Sequence, residues 1–253
     1  MPPKKTVRTV AAFITEVGRT CRSDEVVFRG QPAKQPLLPR IGRPSFRPRR
    51  AIATDEREMV EHFRSRSLPH LTVTPDNDWE WLALAQHHGM ATRLLDWTQN
   101  PLAALWFAVH APTTRRTDGE VWYFAVRAGD RPAPGKCLSP FDITRTWVVR
   151  PRHIAPRITR QAGWFTAHHA VGRRPKFVPL DANEQFENRL HRLVIPHECF
   201  ARIRATLDRC GIHRASLMPD LSGLAMHIEW LHSRLPDEAQ KPAKTGRQQK
   251  TRR

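Results

Sequence analysis

Nine consecutive residues, Pro101 to Val109 (PLAALWFAV), carry no charge, and they constrain the fold of this chain more than any other stretch. Leu102, Leu105, Trp106 and Val109 recur at helical spacing, while Ala103, Ala104, Phe107 and Ala108 close the remaining face, so the helix has almost no side for water. The pattern predicts a buried central helix. Asn100 is suited to cap it and Pro101 to fill its first position. Upstream, Thr92 to Trp97 reads as a short strand, with Thr98 and Gln99 turning into the helix. Before that strand, Gln86, His87, His88 and Gly89 end a preceding helix, with Gly89 as the C-cap.

Gln86, His87, Arg93, Asp96 and Thr98 therefore stand at element ends beside a buried helix. Such junctions commonly hold ligands. The alternative is an internal network in which Arg93 pairs with Asp96 while Gln86 and the histidines satisfy backbone groups. Polar groups in this position are costly unless paired or used, so both readings stand.

The net charge of +18 is the strongest compositional signal. Between Asp142 and Asp181 there is no acidic residue, yet Arg145, Arg150, Arg152, Arg157, Arg160, Arg173, Arg174 and Lys176 fall there. A folded stretch so one-sided is expected to bind a polyanion, nucleic acid or nucleotide, with salt-dependent affinity. A merely basic surface is the competing explanation. At 253 residues and 40% hydrophobic composition, the chain is long enough for one domain with a substantial core. No run is long enough to span a bilayer, and the N-terminus lacks a signal-peptide core, so a cytoplasmic protein with no membrane partner is expected. Cys21, Cys137, Cys199 and Cys210 form no CxxC pair, and His168 with His169 lacks a third ligand at suitable spacing, so no metal is expected.

In chain order, residues 1–8 are expected to be a flexible basic N-terminus, 9–235 one domain, and 236–253 a disordered basic tail. Val10, Phe13, Ile14 and Val17 predict a first helix. EVVFR at 25–29 predicts a strand that delivers Arg29 to its end, with Gly30 allowing a close turn or a close ligand. Residues 32–50 read as a long basic loop. Asp55 and Glu58 resemble a capping box for a helix carrying Met59, Val60 and Phe63. EVWYFAVR at 120–127 is apolar on both faces and reads as a central strand, with Tyr123 in the core or a cleft wall. Leu193–Pro196 predicts a late strand and 198–210 an amphipathic helix. Asp220 or Ser222 caps a last helix packed through Leu224, Ile228 and Leu231. No internal repeat is visible. The fold class is α+β: one domain, with a mixed or split sheet around the central helix.

FRGQ at 28–31, LLPRIGR at 37–43 and QHHGMATRLLDWTQNPLAALWFA at 86–108 resemble the FRG domain family, named for its Phe-Arg-Gly signature. QAGWFT at 161–166, LVIP at 193–196 and MPDLSGLA at 218–225 fit in family order, extending the resemblance over roughly residues 10–232. A more distant similarity is to ADP-ribosyltransferase folds, in the order of an early arginine strand, a hydroxyl-bearing strand before a buried helix, and a late acid. That resemblance implies NAD as the ligand. Arg29 would hold its phosphate or ribose, Thr92 would line the nicotinamide pocket, and Glu184 or Glu187 would supply the late carboxylate. Gln86, His87, Arg93 and Asp96 would complete the pocket. It also implies a toxin or phage-defence setting. The second hypothesis is a non-catalytic module that binds nucleic acid or nucleotide through Arg150, Arg152, Arg157, Arg160, Arg173 and Arg174, its cleft a recognition site in which Gln86, His87 and Asp96 make hydrogen bonds. A carboxylate facing Arg29 across one pocket separates the two.

Overall fold

The computed structural model describes residues 4–21, 25–50, 52–112, 116–133, 139–150, 163–171 and 176–238. Its centre is helix α4 (Pro101–Val109), which buries Ala103, Ala104, Leu105, Ala108 and Val109 completely. Asn100 caps it, accepting from the backbone N–H groups of Leu102 and Ala103 at 3.0 and 3.2 Å, with Pro101 at the first position as expected. Each fully buried large aliphatic or aromatic side chain here contributes about 1.5–3 kcal/mol.

The sheet beneath α4 comprises β1 (Lys4–Thr6), β2 (Val26–Gln31), β3 (Leu94–Thr98), β4 (Gly119–Ala125), β5 (Trp147–Val149), β6 (Gly163–Ala167) and β9 (His191–Ile195). Their order is β1-β9-β4-β2-β3-β6-β5, with β1 parallel to β9 and every other neighbouring pair antiparallel. β7 (Ala170–Val171) and β8 (Lys176–Phe177) form a separate ribbon. The expected mixed α+β architecture is therefore present.

Antiparallel partners share a face, so the register sorts the side chains. Phe28 stands opposite Tyr123 and Thr98 on the face covered by α1 (Val10–Thr20), α4 and α5 (Phe200–Arg209). On that same face at the other end, Leu94, Phe165 and Ala167 pack under α2 (Ile52–Ser67) and α3 (Asp78–His87). The opposite face collects Val27, Leu95, Trp97, Trp122 and Trp164, closed by Leu37, Leu180, Phe186 and Leu190 from loops.

The sheet is split at one place. β2 pairs with β4 along six residues, but with β3 only at Phe28–Thr98. Beyond that bridge the strands diverge, and the Arg29 side chain crosses the gap, its Nη1 donating to the Asp96 carbonyl at 2.8 Å.

Several expectations change. Lys4–Thr6 is not loose, because the free outer edge of β9 offers backbone partners and the segment adds a strand there. Asp55 lies inside the first turn of α2 instead of capping it, and accepts from the Arg50 backbone N–H at 2.8 Å. At the C-terminal side, Asp237 and Glu238 dock on Arg204, so residues 236–238 belong to the folded body, while 239–253 lie outside the described residues. Helix α6 (Arg214–Leu217) precedes α7 (Leu221–His232), which is capped by Asp220 as expected. Yet Leu224, Ile228 and Leu231 are 46, 48 and 55% exposed, because α7 turns Gly223, His227 and Trp230 inward instead.

Candidate functional site

At the split, a cavity of about 300 Å³ opens between β2, β3, β6, α3 and α4. Gln86 and His87 reach it from the end of α3, Phe107 from α4, Phe28 and Arg29 from β2, and Asp96 from β3. Gly89, at φ +89, ends α3 in the left-handed conformation that glycine tolerates, and so fixes where Gln86 and His87 stop.

The polar side chains form a chain. Gln86 Nε2 donates to Asp96 Oδ1 at 2.6 Å, and the Thr92 hydroxyl donates to Gln86 Oε1. Asp96 Oδ2 lies 3.6 Å from Arg29 Nη1. Asp96 remains 62% exposed on its side chain, whereas Arg29 is only 16% exposed. Burial pushes the Arg29 pKa down and neighbouring Arg43 adds to that, with Asp96 opposing. The guanidinium stays charged in any case. Its Nε is buried with no hydrogen-bond partner among the described residues, and so is the indole Nε1 of Trp164 in the cavity wall. A buried donor without an acceptor costs about 1–3 kcal/mol, which a bound acceptor would offset.

Next to Arg29, three buried polar side chains satisfy one another. Trp97 Nε1 donates to Thr166 Oγ1 at 3.0 Å, that hydroxyl meets His168 Nε2 at 3.1 Å, and His168 Nδ1 donates to the Val178 carbonyl. Burial holds His168 at about 4, so the ring is neutral, with Arg29 adding to the effect.

The structure thus brings together Arg29, Gln86, His87, Asp96 and Thr98 from the predicted set. Thr92 is fully buried and reaches the cavity only through Gln86. Arg93 does neither of the two things considered for it. It is sealed against Glu56 of α2, at 2.6 and 2.7 Å, with Nη1 donating to the Pro140 carbonyl. Glu184 and Glu187 sit in the turns between residues 183 and 190 and are not in the cavity wall; the carboxylate there is Asp96. Of the arginines assigned to nucleic acid, Arg150 is exposed, while Arg152, Arg157, Arg160, Arg173 and Arg174 lie outside the described residues. His168, considered as a metal ligand, has both ring nitrogens engaged.

The aromatic wall, Phe107, Trp97, Trp164 and Phe165, was missed as a site, because each residue alone reads as core. Only the register, which sets Trp97 opposite Trp164 beside the gap, reveals it. Glu56 was missed as the partner of Arg93. Its signal was its position one turn before Val60 and two before Phe63, on the inward stripe of α2.

Gly30 has a role different from either considered. A Cβ there would lie 1.8 Å from the Ala104 carbonyl oxygen and 2.7 Å from the Ala108 nitrogen, so its bare backbone is what α4 rests on. The Phe-Arg-Gly triplet therefore divides its work. Phe28 and Gly30 seat the central helix, and Arg29 faces the cavity from the other side of the strand.

No curated protein and no solved structure matches the chain. The FRG domain family matches residues 24–117, a narrower span than 10–232, taking in β2, α3, β3 and α4 but not the β6 wall. The triplet, the strand carrying Asp96 and the buried helix all fall inside that match, and residues 24–117 of this chain are an FRG domain.

Proposed function

We propose that the cleft at the β2/β3 split binds the anionic, sugar-bearing part of a nucleotide, with NAD as the ligand, and that the chain is an ADP-ribosyltransferase-like enzyme. The observation that carries this reading is Arg29: a buried cation with a partnerless N–H, beside an accessible carboxylate, in a cavity walled by aromatic rings. Ligand pockets begin at about 300 Å³, so this one suits the ring-and-ribose half of a dinucleotide better than the whole.

Each residue then has a task. Arg29 donates to a phosphate or ribose oxygen, and the aromatic wall takes a planar ring. Asp96 accepts from ribose hydroxyls and stabilises positive charge that develops on the sugar. Gln86, held by Thr92, fixes the orientation of Asp96. This assigns to Asp96 the carboxylate role that the resemblance alone gave to Glu184 or Glu187.

NAD consumption by the purified protein, followed chromatographically, tests the assignment. Asp96→Asn is expected to lower turnover about 100-fold, the scale set by loss of one preorganised electrostatic group. Glu184→Ala and Glu187→Ala are expected to stay within a factor of two. The reverse pattern returns the role to the late glutamates, and NAD binding without turnover leaves a non-catalytic nucleotide-binding module.

A further inference from the structure

The cavity wall has a charged outer side. Trp164, which lines the cavity, is flanked by two guanidinium groups, Arg131 at 4.8 Å and Arg150 at 5.6 Å from its ring. Arg145 stacks on Trp147 of β5 at 4.0 Å and donates to the Gly129 carbonyl, two residues from Arg131. Among the described residues the three share little negative charge: Glu25 pairs with Arg131 and also faces Arg150, and both oxygens of Asp130 are taken by Arg189 at 2.8 and 3.0 Å. Arg145 and Arg150 are exposed. In sequence these residues lead into the stretch from 143 to 180, which holds eight Lys and Arg and no acid.

We infer that this rim, Arg131, Arg145 and Arg150, is a docking surface for a nucleic-acid strand, and that the strand is the acceptor for the group transferred in the cleft. The inference rests on the NAD reading of the cavity. Three guanidiniums on one rim, next in sequence to a stretch with no acid, match several phosphates of a strand better than they match a single anionic group. Trp164 joins the two sites, with the phosphates outside it and the reacting sugar inside. Among the described residues the indole N–H groups of Trp147 and Trp164 are buried without a partner, each ring with a guanidinium over it and the two on opposite faces of the sheet. In the transfer, the bond from ribose C1′ to the pyridinium nitrogen breaks, its electron pair stays with nicotinamide, and nicotinamide leaves neutral. A lone pair on a nitrogen or oxygen of the strand forms the new bond to C1′, and the acceptor's proton passes to solvent.

The test uses a fluorescent single-stranded oligonucleotide and its duplex with the full chain. Binding is read by anisotropy at 50 and 200 mM salt, about the range over which phosphate contacts lose most of their effect. Product is read by mass spectrometry after incubation with NAD. Wild type is expected to bind in a salt-dependent manner and to add one ADP-ribose to the oligonucleotide. Arg131→Gln/Arg145→Gln/Arg150→Gln is expected to bind at least tenfold more weakly, with its salt slope smaller by about 2 for a single strand, where each lost phosphate contact removes about 0.7. NAD consumption without oligonucleotide is expected to be unchanged in that variant. Arg150→Gln alone, at an exposed position, is expected to show a smaller loss in the same direction.

NAD turnover with no binding or labelling of either nucleic acid overturns the inference and leaves the cleft reading intact, as does binding indifferent to the three substitutions. Transfer to a protein acceptor in place of the oligonucleotide also overturns it. Salt-dependent binding without NAD turnover overturns the cleft reading, and the acceptor role falls with it.

Discussion

Two arginines near the strands flanking the split show what a side chain's surroundings decide. Arg29 and Arg93 look alike in sequence, each beside apolar residues, yet Arg93 is closed by Glu56 and Pro140 while Arg29 lines a cavity and has an Nε–H without a partner among the described residues. That Gln86, His87 and Asp96 would stand together was legible from their crowding at element ends, whereas Arg29, far away in sequence, was placed beside them only by the family resemblance. Which arginine belonged with them was not legible, because Glu56 stands 37 residues from Arg93 and only the packing of α2 joins them. His168 makes a prediction at this scale. Its folded value of about 4 lies below the ordinary 6.5, so between those values the unfolded chain binds more protons than the folded one. The contribution is therefore complete above pH 6.5 and is lost as the pH falls toward 4. Urea denaturation at pH 7 and pH 5 is expected to show a loss of about 2 kcal/mol from this residue at the lower pH. His168→Gln should show a pH 7 to pH 5 difference smaller by that amount, and an unchanged difference contradicts the buried neutral ring.

At the scale of elements, helix α4 was the most legible part of the molecule, because a run with no polar face has only one place to go. Its cap, its first proline and its burial all follow from residues 100–109. What the sequence did not show is how closely α4 lies on the sheet, which depends on two glycines from different strands. Gly119 faces the Ala108 carbonyl at 2.5 Å from where a Cβ would stand, as Gly30 faces Ala104. Gly30→Ala is expected to cost at least about 3 kcal/mol, at the upper end of overpacking because the clash is with backbone. Equilibrium denaturation checks this; wild-type stability in that variant contradicts direct seating of α4 on β2. Helix α7 was misread for the opposite reason. Leu224, Ile228 and Leu231 have core-like spacing, but burial is decided by what stands nearby, and the neighbours of α7 take Gly223, His227 and Trp230.

For the whole molecule, the mixed sheet follows from strands that are apolar on both faces, whereas the split follows from a single-residue pairing that no local pattern encodes. No helix among the described residues is long and apolar enough to cross a membrane. The split matters most, since it opens the sheet between the half covered by α1, α4 and α5 and the half covered by α2 and α3. Everything said of ligand chemistry depends on that opening being a binding site. The most direct measurement is a crystal structure of the protein soaked with ADP-ribose. The account predicts ligand density between β2 and β3, with an oxygen within hydrogen-bond distance of Arg29 Nε and a ribose hydroxyl on Asp96. Ligand absent at high occupancy from that cleft, or seated elsewhere with Arg29 closed by protein groups, would contradict it.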